Sequence, residues 1–402
     1  MRIAIIGAGP AGIMAALEAR KKQADVLLID ANPSVGRKLA ATGSGRCNLT
    51  NTHAQPERYH TSSPKNLMKI FSKFGNENLI AWLENLGIFT YATEDGWVYP
   101  ISNSAQNVVD ILAAHLIDAG IEKYPQTFIT NLQLTGNKFK LSTQDSSRSF
   151  IAEQVIIATG GPAYPQLGAR DNIYTILKRL GHTILPVKPA LAPVLTDAKS
   201  FHKLQGVRLD AGTTLMTEGR EIGRTAGNII FTSWGLNGPG VMDLSHLVSL
   251  HSNEELELRL DFLPNQPERL QELIQKQIRS SIPFCLILES FLPSKVAYFL
   301  LEQCQISKEK TVNQINESEI SRVLQALHNQ IIIIKGVKGF KECQLSIGGV
   351  PLSEIDPDNM QSLKVPGLYL AGEILDVNGP CGGYNLQWAF TSGFVAGNHI
   401  QK

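Results

Sequence analysis

A glycine-rich turn near the start of the chain constrains the fold more strongly than any other feature of the sequence. The pattern Gly7-x-Gly9-x-x-Gly12 stands between a short apolar run, residues 2–6, and a segment of helix-forming residues, 10–22. An apolar run of this length is typical of a strand that is buried on both faces of a parallel sheet. The order of strand, tight turn and helix predicts an α/β fold with a Rossmann-type unit at its beginning.

The same turn has the residues that a bound dinucleotide needs. Its first glycine permits the turn, the second lets the backbone approach a pyrophosphate, and the third lets helix and strand pack closely. Pro10 and Ala11 begin the helix, whose N-terminal N–H groups attract phosphate. A second apolar run, 26–29, ends at Asp30 and Ala31, where an acid can bond the adenosine ribose. These residues predict a dinucleotide without distinguishing NAD from FAD.

The C-terminal part of the chain favours FAD. The apolar run 368–371 ends in Gly372 and Glu373. In FAD proteins of the glutathione-reductase type such a strand returns to the first fold, where its acid bonds the ribityl chain. Another apolar run, 155–158, precedes residues that resemble the intermediate motif of the same class: Thr159, Gly160 and Gly161. Either motif alone would be an ordinary strand-to-turn junction, but the three motifs in this order predict FAD.

A polar loop is the next candidate for contact with the cofactor. Arg37 and Lys38 follow the acidic strand end closely and are placed for the diphosphate. The residues beyond them could wrap the ribityl chain and the ring edge with backbone donors: Thr42, Gly43, Gly45, Arg46, Cys47 and Asn48. A flexible polar loop is the alternative interpretation. Phe128 and Asp376 complete this part of the predicted site.

A second glycine-rich turn precedes a helical stretch, 386–399, and consists of Gly382, Gly383, Tyr384 and Asn385. Two glycines before a helix allow a flat ligand to approach the backbone closely. If the helix N-terminus points at the flavin pyrimidine, it would stabilise negative charge there by about 0.3–1 kcal/mol. A glycine-rich surface turn is the alternative interpretation.

The sequence offers only weak candidates for catalytic residues: Tyr164, Tyr384, Asn385 and Cys47. Any of them could orient a substrate, and any could simply pack. Cys47 and Cys381 lie in the two segments predicted to meet at the ring and could form a redox pair. Buried free cysteine more often acts as a small hydrophobic residue.

Composition limits the other possible classes of protein. The 402 residues are 43% hydrophobic and 18% charged, with a net charge of +1, so no overall field attracts nucleic acid or anionic membrane. No apolar run approaches the roughly 18 residues of a membrane helix. The five cysteines form no CxxC pair, which argues against structural zinc and for a reducing compartment. We therefore expect a cytoplasmic protein with no metal and no membrane partner.

Three longer runs of sequence closely resemble the bacterial flavoprotein family that contains aminoacetone oxidase and BaiN-like reductases. They are GRKLAATGSGRCNLTN, FTSWGLNGPGVMDLS and PGLYLAGEILDVNGPCGGYNLQWAFTSGFVAG. The resemblance implies noncovalent FAD and a Rossmann-type FAD domain interrupted by a β-rich domain and a small helical one. The segment 168–171 and Gly240 depart from the family pattern, and we expect both departures to bear on the choice of substrate.

The expected domain boundaries follow from composition and periodicity. The FAD-binding domain is expected at 1–190 and 345–402, because a second glycine-rich pattern of strand, turn and helix occurs near the C-terminus. The β-rich, barrel-like domain is expected at 191–263 and 331–344, and it includes the strictly alternating run 256–262. The small helical domain is expected at 264–330, where Asn316 and Glu319 resemble a capping box.

The leading hypothesis is an FAD-dependent oxidoreductase that reduces a C=C or C=N bond of a small molecule with electrons from NAD(P)H. The sequence has no second Gly-x-Gly-x-x-Gly unit for a separate nicotinamide domain, so the donor would share the substrate cleft. One alternative is the O2-dependent oxidation of a small amine. Another is the reduction of uracil in RNA, which would require a basic face near the flavin and is not favoured.

Overall fold

The computed structural model describes residues 1–145, 148–264 and 266–400. The chain divides into two units. Unit 1 comprises Met1–Lys188 and Gln344–Lys402, and unit 2 comprises Pro189–Cys343. The division of unit 2 into a β-rich and a helical domain stays a prediction. Among the described helices, none is long and apolar enough to cross a membrane.

The secondary structure consists of strands and helices numbered here in chain order. The strands are β1 (Arg2–Ile6), β2 (Asp25–Ile29), β3 (Thr50–Asn51), β4 (Thr90–Ala92), β5 (Trp97–Pro100), β6 (Glu122–Tyr124), β7 (Ile129–Thr135), β8 (Lys138–Thr143), β9 (Ser149–Ala152), β10 (Gln154–Ile157), β11 (Leu185–Ala190), β12 (Val194–Thr196), β13 (Arg208–Thr217), β14 (Arg220–Phe231), β15 (Gly235–Asn237), β16 (Leu256–Asp261), β17 (Gln330–Val337), β18 (Leu345–Gly349) and β19 (Leu368–Leu370). The helices are α1 (Pro10–Lys21), α2 (Arg37–Ala40), α3 (Pro64–Phe71), α4 (Asn76–Asn85), α5 (Ala105–Asp118), α6 (Asn172–Arg179), α7 (Pro239–Met242), α8 (Ser245–Leu250), α9 (Pro267–Lys276), α10 (Phe284–Glu289), α11 (Ser294–Gln303), α12 (Glu317–His328) and α13 (Tyr384–Asn398).

A five-stranded parallel sheet with the order β19-β10-β1-β2-β6 is the centre of unit 1. Ile6 at the end of β1 lies opposite Ile29 of β2 on one side and Ile157 of β10 on the other. Apart from the edge strand β6, the strands are apolar almost throughout, as expected where both faces of a sheet are covered. Since parallel strands end at the same edge, the segments that follow β1, β2, β10 and β19 come together there. The predicted Rossmann-type α/β fold is confirmed.

Helix α13, near the C-terminus, packs against α1 at very short range. A Cβ atom at Gly393 would overlap the carbonyl oxygen of Ala11, and one at Gly397 would lie 2.5 Å from that of Ala15. Trp388 of the same helix is buried in the core of unit 1. The small residues on both helices therefore join the two ends of the chain. The helix predicted at 386–399 is confirmed and begins two residues earlier.

Smaller sheets surround this core. Strands β3, β5 and β4 form one antiparallel sheet, and β7, β8 and β9 form another. Strand β11 lies beside β18 in a two-stranded sheet. The first of these sheets matters for the site, because β3 follows directly on the polar loop that contains Cys47.

In unit 2 six strands form a closed barrel with the order β12-β15-β14-β13-β16-β17. The predicted alternating strand is β16, whose buried residues are Leu256, Leu258 and Leu260. The predicted capping box at the start of α12 is confirmed. Asn316 Oδ1 accepts from the Glu319 N–H at 3.0 Å, and Glu319 Oε2 accepts from the Asn316 N–H at 3.1 Å.

The contact between α1 and α13 can be tested by Gly393→Ala. Alanine should gain roughly 1 kcal/mol of helix propensity. Overpacking of backbone against backbone should cost about 3 kcal/mol, which outweighs the gain. We expect a lower free energy of unfolding in urea. Gly339→Ala is the control, because a Cβ at Gly339 meets no atom within 4 Å. If Gly393→Ala had the same free energy of unfolding as Gly339→Ala, the packing argument would be contradicted.

Candidate flavin-binding site

The three glycines of the N-terminal turn differ in what surrounds them. A Cβ at Gly7, which has φ +107°, would overlap the carbonyl oxygen of Ala158, and a Cβ at Gly12 would overlap that of Gly7. A Cβ at Gly9 would meet no protein atom within 4 Å. Packing thus explains the first and third glycines, whereas the space beside Gly9 is open to a ligand. Gly9 is also the N-cap of α1, and no side chain caps that helix end, so its N–H groups can receive a phosphate.

Asp30 is held at the end of β2 by two backbone N–H groups. Its Oδ2 accepts from Ala8 at 2.6 Å, and its Oδ1 accepts from Asn32 at 2.7 Å. Each carboxylate oxygen retains a further lone pair for a ligand hydroxyl. The Asp30 carboxylate lines a cleft whose volume, including its open mouth, is about 490 Å³. The other residues that line this cleft are Ile6, Gly7, Ile29, Ala31, Asn32, Thr127, Phe128, Ile129, Thr159, Gly168, Arg170, Asn172 and Ile173. This cleft is where we predicted the adenosine.

The segment 168–171, which departs from the family pattern, contributes to this cleft. A Cβ at Gly168 would overlap Asn32 Oδ1, and the Arg170 guanidinium lies 5.0 Å from the centre of the Phe128 ring. A Cβ at Gly240, the other departure, would lie 2.6 Å from the carbonyl oxygen of Gly227 within unit 2. The first departure belongs to the predicted adenosine end and the second to local packing. The expectation that these departures bear on the choice of substrate stays a prediction.

The three predicted FAD motifs meet around Glu373. Its Oε1 accepts from the N–H and the hydroxyl of Ser346 at 2.9 and 3.0 Å, and its Oε2 pairs with Lys38 Nζ at 2.7 Å. A Cβ at Gly161 would lie 2.8 Å from Oε1. A Cβ at Gly372 would lie 3.1 Å from the Cβ of Ala11 in α1. Glu373 is therefore fixed beside both the intermediate motif and the start of α1.

The two basic residues of α2 are held differently from each other. Lys38 Nζ bonds Glu373, whereas Arg37 Nη1 donates to Asn32 Oδ1 at 3.2 Å, on the side of the Asp30 cleft. The two cations are thus held by partners in the two strand-end segments, Arg37 by Asn32 after β2 and Lys38 by Glu373 after β19. Their predicted contact with the diphosphate is compatible with this placement and stays a prediction.

The polar loop and the second glycine-rich turn are joined by backbone and side-chain contacts. Asn51 Nδ2 donates to the Gly382 carbonyl at 3.0 Å, and the Thr50 hydroxyl donates to Gln387 Oε1 at 2.6 Å. A Cβ at Gly383 would overlap the carbonyl oxygen of Thr50. The structure therefore brings together the two segments that we predicted to meet at the flavin ring. No side chain caps α13 at Gly383, so its N-terminus can stabilise negative charge.

Several predicted site residues have structural contacts of their own. Tyr384 is buried, and its ring lies 5.8 Å from that of Tyr59. Asn385 closes its turn through two 2.8 Å bonds to the backbone of Gly379. Asp376 accepts from the N–H groups of Ser62 and Leu352 at 2.9 and 2.6 Å, and burial raises its pKa. These contacts suffice to explain the three residues, and their predicted roles toward cofactor or substrate stay predictions.

Two other catalytic candidates differ in accessibility. Tyr164 is partly exposed and has φ +61°, which is uncommon for a non-glycine residue and often marks a functional position. Cys47 is fully buried, and burial raises its pKa to about 12. The thiolate that disulfide chemistry needs is therefore disfavoured at Cys47. Among the described residues, none of the five cysteines forms a disulfide bond.

Sequence reasoning missed three residues of this region. Ser346 holds Glu373, Asn32 joins Asp30 to Arg37, and Arg170 covers Phe128. Asn32 could have been noticed because it follows the acidic strand end by two residues. Arg170 lies in the segment 168–171, which the sequence singled out for the substrate rather than for the cofactor. Ser346 is more than a hundred residues from Asp30 in sequence, and no local pattern indicates it.

The residues present fit a bound flavin dinucleotide. Open space at Gly9, uncapped helix N-termini and the two cations of α2 suit a diphosphate, and the cleft at Asp30 suits a nucleoside. FAD, when bound, supplies hydride transfer at its ring, while the protein positions and tunes it. The open space beside Gly9 distinguishes a ligand-binding turn from a turn that is only tightly packed. Protein packing does not require a glycine at this position.

Comparison with known proteins identifies similar chains along the whole length. The HI0933-like protein Rossmann domain family matches residues 1–399. A 3-dehydro-bile acid delta(4,6)-reductase of Clostridium scindens is 32% identical, over 98% of this chain and 98% of that protein. A ribosomal RNA dihydrouridine synthase of Haemophilus influenzae is 29% identical, over 99% of this chain and 98% of that protein.

A solved structure shares the fold. The 3-ketosteroid-delta4-(5alpha)-dehydrogenase of Rhodococcus jostii, in complex with 4-androstene-3,17-dione, superposes with a TM-score of 0.52. The match covers 98% of this chain and 95% of that one at 13% identity. At this identity the likeness concerns the fold alone.

The difference between the glycines gives a test of the site. Gly9→Ala should leave the apoprotein nearly as stable as the parent, because an alanine N-cap costs only about 1 kcal/mol. The same variant should weaken FAD binding by roughly 100-fold, since the methyl group enters the space beside the diphosphate. Gly12→Ala should instead lower the melting temperature of the apoprotein. If Gly9→Ala bound FAD as the parent does, in a fluorescence titration of the apoprotein, the ligand would not lie at this turn.

Proposed function

The chain belongs to the HI0933-like Rossmann family, and from that premise we propose that it reduces a conjugated C=C bond in an apolar, ring-shaped substrate with electrons from NAD(P)H. The protein is an FAD-dependent oxidoreductase. The reaction class is supported by the bile acid reductase of C. scindens, whose similarity extends over the whole of both chains. The class of substrate is supported by a surface of this chain beside the second glycine-rich turn.

This surface, which we call the hairpin face, is one side of the β4–β5 pair. It consists of Phe89, Tyr91, Trp97, Tyr99 and Ile101. Tyr91 pairs with Tyr99 across the sheet, and the Ile101 N–H donates to the Phe89 carbonyl. Alternate residues of paired strands point to one side. Phe89, Tyr91 and Ile101 are 60%, 39% and 63% exposed, whereas Tyr99 is only 2% exposed and lies beneath them. The first three side chains form the exposed apolar part of the face, and such a surface often binds a ligand.

The hairpin face is continuous with the candidate flavin site. A Cβ at Gly382 would lie 2.9 Å from Trp97 Nε1, so the indole packs directly on the second glycine-rich turn. The Arg46 guanidinium, which belongs to the polar loop, lies 4.7 Å from the centre of the Tyr99 ring. An apolar platform with one exposed cation suits a substrate of fused rings that also carries an anionic or carbonyl group. This combination is the observation that carries the proposed substrate class.

Uracil reduction in RNA is the second candidate, favoured by the similarity to the dihydrouridine synthase. An exposed aromatic ring such as that of Tyr91 can stack an unpaired base, a contact that contributes about 1–3 kcal/mol. The net charge of +1 gives no overall attraction for the RNA backbone, which favours the small molecule. Oxidation of a small amine is disfavoured, because the positive charge of the exposed Arg46 guanidinium repels an ammonium group. The cytoplasmic location stays a prediction.

Anaerobic mixing distinguishes these reactions. We expect NADH or NADPH to bleach the oxidised flavin band, and a 3-oxo-4-ene steroid with a carboxylate side chain to restore it without oxygen. A flavin that never bleaches would contradict the reductase proposal. A band restored only by unmodified uridine-containing RNA would favour the second candidate, and bleaching by a small amine would favour the oxidase.

The role of the hairpin face is checked with the substrate that restores the band. Replacing Phe89 and Ile101 together by serine should raise KM at least 10-fold and leave kcat and the flavin spectrum nearly unchanged, because burial of each apolar side chain contributes about 1.5–3 kcal/mol. Ile151→Ser is the control, since Ile151 is 57% exposed on β9. Equal KM values for the control and the double variant would exclude the hairpin face from substrate binding.

A further inference from the structure

A fully buried glutamine lies on the first turn of α13, close to the second glycine-rich turn. Gln387 has no exposed surface, although glutamine is mostly found at the surface of proteins. Its Oε1 accepts from the Thr50 hydroxyl at 2.6 Å, and its Nε2 donates to the Thr391 hydroxyl at 2.9 Å. The Thr391 hydroxyl in turn donates to the Phe74 carbonyl at 2.9 Å. These groups form one directed chain of hydrogen bonds that begins at β3.

This chain of hydrogen bonds fixes the N-terminus of α13 against strand β3. The Gln387 N–H donates to the Gly383 carbonyl at 3.0 Å, which closes the first turn of the helix. The side chain of the same residue holds β3, and β3 is itself paired with β5. Further along, α13 is fixed to α1 by the glycine contacts described above. The helix is therefore held at two places, and the contact nearer the candidate flavin site is polar.

Stability alone does not require the polar pair of Thr50 and Gln387. A buried hydrogen bond contributes little net stability, and replacing both of its partners by apolar groups of the same shape can be nearly neutral. A valine and a methionine would therefore serve a chain that needs only a packed interior at these positions. A hydrogen bond adds a preferred direction and a defined length, which an apolar contact lacks. The pair is thus suited to holding one helix end at one distance from the polar loop.

We propose that Thr50 and Gln387 are positioning residues that raise the reduction potential of the bound flavin. Their hydrogen bond keeps the uncapped N-terminus of α13 beside the polar loop, where its N–H groups favour the negative charge of a reduced flavin. Neither residue needs to touch the cofactor, because both act through the position of the helix. The inference rests on the placement of the flavin ring that the proposed function also uses, and it is independent of the substrate.

The test is the double variant Thr50→Val with Gln387→Met, which removes the bond and leaves neither partner unpaired. Thr391 can still donate to Phe74, so the apoprotein should melt close to the parental temperature. The potential of the bound FAD is measured by dithionite titration against a reference dye. Because the helix end is no longer held, the potential should fall by about 30 mV, a roughly tenfold loss in the preference for reduced over oxidised flavin.

Single variants separate positioning from packing. Thr50→Val and Gln387→Met each leave one buried polar group of the pair unpaired, so each should melt at a lower temperature than the double variant. Thr50→Ser keeps the hydroxyl and should keep the parental potential. The potential should therefore follow the presence of the hydrogen bond, whereas the melting temperature follows the number of unpaired groups.

Thr213→Val is the matched control for a loss of stability away from this site. Thr213 is a buried threonine of unit 2 whose hydroxyl donates to the Gly240 carbonyl at 2.6 Å. Its replacement leaves that carbonyl with one bond fewer, so we expect a lower melting temperature. The potential of the bound FAD should stay at the parental value.

Two results would overturn the inference. One is a parental potential in the double variant, as expected if the pair serves folding alone. The other is a potential that falls equally in Thr213→Val, since lower stability would then account for the shift. If the double variant does not fold, equal potentials in Thr50→Val and Thr50→Ser would overturn the inference instead. None of these titrations uses a substrate or NAD(P)H, so failure to reduce an enone would refute the proposed function and leave this inference intact.

Discussion

The close approach of backbone to backbone at the end of β1 is the constraint on which the rest of unit 1 depends. No side chain fits at Gly7 or Gly12, where a Cβ would overlap a carbonyl oxygen, and the same holds at Gly393 in α13. Helix α1 is thereby pressed between the sheet and the C-terminal helix. One consequence is that the first and last parts of the chain share a single site, although nearly four hundred residues separate them.

The second consequence is electrostatic. Because α1 and α13 both begin without a capping side chain, their N–H groups remain available at the same edge of the unit. The acids nearby are already stabilised by the protein: Asp30 by two backbone N–H groups and Glu373 by Ser346 and Lys38. A dinucleotide therefore enters a site whose charges are paired and whose helix ends are free. This arrangement suits a ligand with a negative centre and polyol arms.

The sequence predicts those parts of the site that short, local sequence patterns identify. The glycine turn, Asp30 and the pair Gly372–Glu373 each follow an apolar strand, and strand ends in a parallel sheet meet by geometry. The capping box at Asn316 is equally local. Asp376 was predicted from its position beside a motif, and both of its oxygens accept from backbone N–H groups. Its predicted contact with the cofactor stays a prediction.

The residues that the sequence does not reveal owe their positions to long-range packing. Ser346 reaches Glu373 from β18, whose place follows from the packing of the whole of unit 1. The hairpin face depends on the register in which Tyr91 meets Tyr99, and a shift by one residue would have turned those rings to the opposite side.

The central claim is that one dinucleotide is held by both ends of this chain, and the direct measurement is the identity and amount of the flavin released on denaturing the purified protein. We expect one FAD per chain, with the flavin absorption bands present before release. A colourless protein that FAD cannot reconstitute would contradict the claim. So would bound FMN, because it has no adenosine to fill the cleft at Asp30.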